Sequence, residues 1–297
     1  MRALPPPWAA VERAATLAGP DATVREISAL AGGTHARTYQ IHMSNPDLEV
    51  ILREFPVGDA AARHEAQVLA ALDGLDGLAP RLLASGPGSA PAGPWNLISR
   101  LAGAANITPA RPSAFAAQLG ATLARIHATS PARLGGFPRV PEGRGGSFGA
   151  LSGPAASPVA ASQVLLMSTP SVLTHHDFWS GNTLWQRGVL TGVVDWAGAA
   201  VGPRGFDVGW CRLDLYLLYD QRIADCFLDS YQTASGTALP EPLLWDLWAI
   251  ARSDQIVESW VPNYHDLGRA DLTAKELRKR HTLWTQYLLG RSTHAAS

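Results

Sequence analysis

Lysine is almost missing from this sequence: Lys275 and Lys279 are its only two, and the other basic side chains are arginines. Any task that needs a long-chain cation before residue 275 therefore falls to arginine, whose planar fork grips phosphates bidentately but does not copy the geometry of an ammonium. Cysteine is equally scarce. Cys211 and Cys226 form neither a CxxC pair nor a disulfide framework, which points away from a thiolate metal centre and toward a reducing cytoplasm. Net charge is lacking too, with 24 Lys plus Arg against 25 Asp plus Glu. A dedicated nucleic-acid binder, which needs a basic excess for phosphate contacts, is thereby disfavoured. No apolar run reads as a membrane span: the longest charge-free stretch, Gly145 to His176, is broken by Pro154, Pro158 and Pro170. At the start, three prolines and then Glu12 and Arg13 stand where a secretory signal would need an unbroken apolar core. The expectation is a cytoplasmic protein with no membrane or nucleic-acid partner.

What is present is apolar material, 46% of 297 residues, enough for about two packed lobes. From Thr23 to Phe55 the pattern is strand-like: VREISAL, a Gly32-Gly33 interruption, RTYQIHM, then LEVILREF after the Asn45-Pro46-Asp47 turn signal. Asp59 is a candidate N-cap for a helix on which Ala61, Val68 and Leu72 recur at helical spacing. A further strand begins at Trp95 and ends by Gly103, the expected lobe boundary. Beyond it the chain reads as helices over Ser113–Ala128, Phe206–Tyr219, Ile223–Thr233, Pro240–Val261 and Leu272–Leu289. Short strands interrupt them around SVLTHHD and on either side of the Gln186-Arg187-Gly188 turn. The Gly- and Pro-rich segment from Pro131 to Pro158 reads as irregular.

The chemistry concentrates between His175 and Trp196. Asp177 follows an apolar strand, Asn182 comes five residues later across a loop containing Gly181, and a second strand delivers Asp195 at its end. A hairpin at the Gln186 turn would bring Asn182 and Asp195 to one end of two paired strands. Two carboxylates and an amide oxygen suit Mg²⁺, which is bound through one or two carboxylates together with substrate phosphates. Phosphoryl transfer needs such an ion, and a carboxylate to orient the attacking hydroxyl. On this reading Asn182 and Asp195 hold metal and Asp177 faces the acceptor. The alternative, in which each merely caps a turn, holds for any one residue better than for their joint order.

A second signal is independent of the first. Arg53 shares a strand face with Ile51 and Phe55, and Glu65 lies on the apolar stripe of the following helix. Burial of either charge alone is costly, so the two are expected to pair, whether as a structural ion pair or as a phosphate-facing cation. Gly32 and Gly33 would let backbone amides approach phosphates, or simply make a turn.

With His175-His176-Asp177, Asn182, Asp195-Trp196, Gly202-Pro203 and Asp207 in that order, the sequence resembles the aminoglycoside phosphotransferase and choline kinase family, over roughly residues 25 to 210. The resemblance implies an α+β, bilobal, protein-kinase-like fold, with a small antiparallel-sheet lobe over 1–100, a mainly helical lobe over 101–297, and a hinge at about 98–103. It implies ATP or GTP as co-substrate with Mg²⁺, Ser99 to Leu101 meeting the base, Asp177 as catalytic base, and Asn182 and Asp195 as metal ligands. His175 would prop the catalytic loop and Asp207 would stabilise it. Three positions depart from the pattern: Arg53 replaces the usual lysine, His176 stands where glycine is common, and Ala36 where asparagine is frequent.

Residues 201 to 270 hold ten acidic side chains against five arginines. From this excess Asp254, Glu258 and Asp266 are candidates to meet a cationic acceptor, with an aminoglycoside antibiotic the leading guess; a solvated acidic surface is the alternative. Trp179 would contact the acceptor or pack. Two other functions compete. Gly145 to Gly149 matches GxSxG, but the preceding Pro141-Glu142-Gly143 supplies no strand for a hydrolase nucleophile at Ser147. A pseudokinase that binds nucleotide without turnover finds its best argument in Arg53.

Overall fold

The computed structural model describes residues 5–30, 36–130, 134, 135, 137, 139 and 150–295. Gly32, Gly33 and Ser147 lie outside the described residues. The chain divides into two compact units, one of Met1–Gly103 with Thr191–Ala197, the other of Ala104–Leu190 with Gly198–Ser297. The contiguous division expected from sequence, 1–100 and 101–297, does not anticipate the return of residues 191–197 to the first unit. Two hydrogen bonds tie that segment down: Thr191 Oγ1 donates to the Ala102 carbonyl at 2.5 Å and the Val193 N–H to the Leu78 carbonyl at 2.7 Å.

The first unit is built on helix α1 (Trp8–Ala18), strands β1 (Thr23–Leu30), β2 (Arg37–Ser44) and β3 (Leu48–Glu54), helix α2 (Ala61–Leu72), and strands β4 (Leu82–Gly86) and β5 (Trp95–Ser99). The five strands form one antiparallel sheet in the order β1-β2-β3-β5-β4. Strand alternation divides β3 between two environments. Val50 and Leu52 enter the core with Tyr39, Ile41, Met43, Leu97 and the α1 residues Ala10, Val11 and Ala14, each fully buried leucine contributing about 1.5–3 kcal/mol. Phe55 packs instead with Ala36 and Ala62 of α2. The N-cap of α2 is Ala60 rather than the expected Asp59, which lies one residue earlier and accepts the Ala61 N–H at 2.8 Å.

The second unit holds β6 (Ala104–Ala105), α3 (Pro112–His127), α4 (Ala156–Ala161), α5 (Gln163–Met167), β7 (Ser171–Thr174), β8 (Thr183–Gln186) and the start of β9 (Val189–Val193). Then come β10 (Ala200–Pro203), α6 (Gly205–Leu218), α7 (Gln221–Ser235), α8 (Pro242–Ser253), α9 (Val261–Asp266) and α10 (Ala274–Ala295). β7 pairs antiparallel with β10, while β8 lies between β6 and β9. α3 packs on α7, and α6 on both α7 and α8. At the α6–α8 crossing, a Cβ on Gly209 would come within 2.4 Å of the Trp245 carbonyl oxygen, so only glycine permits that approach. The single helix expected over Pro240–Val261 is in fact broken. α8 stops at Ser253, a 3-10 turn spans Val257–Trp260, and α9 restarts with Pro262 in its first turn, the one place where a helix tolerates a missing N–H.

Candidate active site

In the first unit, the register that buries Val50 and Leu52 turns Arg53 to the α2 side of β3. Its guanidinium lies 3.3 Å, Nε to Oε1, from Glu65, and Nη2 donates to Asp195 Oδ1 at 2.7 Å. Asn96, opposite Arg53 on β5, donates from Nδ2 to Glu65 Oε2 at 3.0 Å and to the Ala62 carbonyl at 2.9 Å. Burial alone would lower the Arg53 pKa, but the charges of Glu65 and Asp195 outweigh it and the net shift is upward, so the cation is fixed. Its guanidinium carbon also sits 5.6 Å from the Phe55 ring centroid, within cation–π range. Asp195 adopts φ +65°, a left-handed conformation that aspartate tolerates better than most residues, and it has a second carboxylate oxygen not committed to Arg53.

In the second unit, the chain leaves β7 at Thr174 and forms a loop from His175 to Asn182. Three residues of α6, at positions i, i+3 and i+7, reach it from one helical stripe: Asp207, Trp210 and Asp214. Asp207, fully buried, accepts the N–H groups of His175 and His176, both at 2.7 Å, and His127 Nε2 at 3.1 Å. Burial would raise its pKa, yet the His127 hydrogen bond and the adjacent histidines bring it below the ordinary value. Burial pushes His127 itself down, so the imidazole is neutral. An ionised Asp207 can only accept, so Nε2 carries the proton, and Tyr231 must then donate its hydroxyl to Nδ1 across 2.8 Å. Asp214 accepts the Ser180 N–H at 3.0 Å, its hydroxyl at 2.5 Å, and the Tyr264 hydroxyl at 3.0 Å.

Within this frame, Asp177 Oδ2 accepts Asn182 Nδ2 at 3.0 Å and Oδ1 accepts the Trp210 indole N–H at 3.1 Å. Asn182 Nδ2 also reaches the Asp177 carbonyl at 2.9 Å, leaving the amide oxygen as its remaining acceptor. The Trp179 ring lies over Gly181, where a Cβ would approach it to 2.1 Å, and meets Tyr264 edge-on at 5.9 Å. His176 has φ +66°, which accounts for a glycine preference at this position. Its ring tilts against Phe206 at 4.8 Å, its Nε2 is enclosed without a hydrogen-bond partner, and burial depresses its pKa.

The acidic excess is mostly internal structure. Asp246 holds Arg212 through two hydrogen bonds, 2.8 and 3.0 Å, and Asp225 adds a third. Asp220 caps α7 through the Ile223 N–H. Of the acceptor candidates, Glu258 at 2.5 Å and Asp254 at 3.2 Å share the one guanidinium of Arg278, which balances one of their two charges; Asp266 is exposed. Ser99 is tied to Arg81, accepting its N–H through the hydroxyl at 2.8 Å, and Leu101 packs on Gly192. Sequence reasoning missed Asn96, His127, Trp210, Asp214 and Tyr264. The i, i+3, i+7 pattern of Asp207, Trp210 and Asp214 on a largely apolar helix was the available signal.

Among the described residues, no three His, Cys, Asp or Glu side chains gather as a metal-holding group, and no helix is long and apolar enough to cross a membrane. A five-stranded antiparallel sheet carrying a buried cation–glutamate pair, with a helical unit carrying an Asp…Asn loop, defines an α+β phosphotransferase of protein-kinase-like fold. Known structures share that fold. Over 92% of this chain and 96% of the other, it matches macrolide 2'-phosphotransferase MphH from Brachybacterium faecium at TM-score 0.57 and 18% identity. A thermostable mutant of aminoglycoside phosphotransferase APH(4)-Ia, in ternary complex with AMP-PNP and hygromycin B, matches at TM-score 0.56 and 15% identity, covering 89% and 94% of the two chains. Comparison with curated protein sequences gives no match. The model of the phosphotransferase enzyme family, APH, matches residues 26–248; the chain belongs to that family and is a phosphotransferase.

Proposed function

We propose that this enzyme transfers the terminal phosphoryl group of ATP or GTP, with Mg²⁺, to a hydroxyl of a small acceptor. The observation that carries this reading is the loop from His175 to Asn182. It presents one carboxylate, Asp177, with both oxygens oriented by N–H donors, on a scaffold of two buried aspartates. Such a carboxylate aligns an attacking hydroxyl and takes its proton. Asn182 and Asp195 fit a hard cation, since each keeps an oxygen acceptor beyond its internal partner, and they are the residues that would hold Mg²⁺. When bound, the ion neutralises charge on the phosphates. Arg53, oriented by Glu65, is the cation for nucleotide phosphates, and the Ser99 to Leu101 segment the strip that meets the base.

The relatives suggest the acceptor classes. One structural neighbour is named for macrolides and another is described bound to hygromycin B. Arg278 balances only one of the two charges of Asp254 and Glu258, which weakens the charge argument for a strongly cationic acceptor and keeps neutral or weakly basic glycosides beside aminoglycosides as candidates. An antibiotic-resistance role in the cytoplasm follows if either is the physiological substrate. The test is incubation with Mg²⁺, ATP or GTP and a panel of aminoglycosides, macrolides, choline and sugars, read by mass spectrometry for one added phosphoryl group. Asp177→Asn is expected to lower nucleotide turnover by about a hundredfold or more. Equal turnover in Asp177→Asn and the unaltered protein would refute the assignment of Asp177.

A further inference from the structure

The χ2 torsion of an aspartate is a broad two-fold rotor, so a carboxylate that must present one oxygen to a hydroxyl needs its plane held by neighbours. A donor on one oxygen still permits swinging about that contact, whereas donors on both oxygens fix the plane. Asn182 supplies the first at 3.0 Å on Oδ2 and Trp210 the second at 3.1 Å on Oδ1. An indole N–H is a donor only, so this contact cannot invert.

Trp210 is itself immobilised. It stands midway along the stripe whose other members, Asp207 and Asp214, anchor the two ends of the loop. Its ring meets Trp260 edge-on at 5.3 Å and Trp248 at 6.2 Å. Bulk alone would be served by any aromatic residue, but a phenylalanine has no donor for Asp177.

We propose that Trp210 is a positioning residue, whose indole N–H sets the Asp177 carboxylate plane together with Asn182. The inference rests on Asp177 as the group that faces the acceptor. It adds a residue on α6, outside the loop, to the machinery that orients the reacting hydroxyl.

Two variants separate donor from bulk. Trp210→Phe removes the N–H and keeps an aromatic ring. Site-specific replacement of the Trp210 indole by benzothiophene exchanges only N–H for sulfur, and so remains informative if the phenylalanine variant folds poorly. Turnover of Mg·ATP or Mg·GTP is measured with water as acceptor and with hygromycin B added, alongside the nucleotide KM and the thermal midpoint. The expected result is a fall in kcat of about tenfold in both variants, with nucleotide KM unchanged and the benzothiophene midpoint within a degree or two of the unaltered protein. Unchanged kcat in the benzothiophene variant, while Asp177→Asn is inactive, would overturn the proposal and leave Trp210 a packing residue. Full turnover by Asp177→Asn would instead remove the assignment of Asp177, and this inference with it.

Discussion

The two constellations of functional side chains are held by different physics. In the first unit, a guanidinium stands between Glu65 and Asp195, and the geometry is set by charge acting between side chains. In the second, Asp177 and Asn182 sit on a loop whose backbone N–H groups and hydroxyl donate to two carboxylates buried in α6. A charge cluster can rearrange when a new anion or cation arrives, because its partners are exchangeable. A loop fastened through its own backbone cannot shift without breaking several hydrogen bonds at once. The division suits the proposed roles: the first cluster meets phosphates that come and go, while the second holds a base whose position must not vary.

The sharpest way to break this comparison is Asp207→Ala. It leaves the His175 and His176 N–H groups and the neutral His127 without an acceptor in a buried place, a loss of about 4 kcal/mol. Chemical denaturation should read that loss, and turnover should vanish with it. Loss of activity with unchanged stability would show that the loop is not fastened through Asp207.

Next in size is Arg53→Ala, which strands the buried Glu65 carboxylate and should cost about 3 kcal/mol of stability. Arg53→Lys should recover most of that, because an ammonium still compensates Glu65 while losing the fork that also reaches Asp195. Equal stability of the two variants would mean that packing against Phe55, rather than charge, holds the cluster.

How legible each constellation was in the sequence follows from the same contrast. Strands β1, β2 and β3 and the Glu65 face of α2 are visible because strand and helix periodicities mark each of them locally, and the Arg53–Glu65 pair because its members stand on consecutive elements. Asp177, Asn182 and Asp195 are visible because short strands and a turn signal separate them within one continuous segment. Their supports are not local: Ser180 meets Asp214 across 34 positions and His127 meets Asp207 across 80, a separation no periodicity encodes. α1 went unread because its buried face is small, Ala10, Val11 and Ala14, while Trp8 is exposed. β4 is short and half-exposed, and β10 follows a 3-10 turn at Trp196–Gly198.

A third, smaller effect concerns pH. Burial holds the pKa values of His127, His176 and His281 below that of a free imidazole. Below about pH 6.5 the unfolded chain therefore binds protons that the folded chain refuses, and stability falls as pH drops. The depressed Asp207 acts in the same direction at lower pH, since it loses its advantage as pH falls through its folded pKa. Asp214 and Asp246, raised by burial, act oppositely. The thermal midpoint should decline from pH 7.5 to 5.5, and less steeply in His281→Gln; an identical slope would exclude His281 from the effect.

The smallest expected change is His176→Gly, where one gain offsets the first of two losses. Glycine relieves the left-handed backbone, worth about 1 kcal/mol. Against this stand the lost contact with Phe206, also about 1 kcal/mol, and the greater freedom of glycine in the unfolded chain, about 0.5–1 kcal/mol. The net loss at pH 8 should stay near 1 kcal/mol, and turnover should persist because residue 176 still donates its backbone N–H to Asp207. The pH slope should flatten, since one imidazole that resists protonation is gone. A loss well above about 2 kcal/mol together with lost turnover would show that the ring, and not only the backbone at this position, fastens the loop, bringing the second constellation closer to the side-chain-held character of the first.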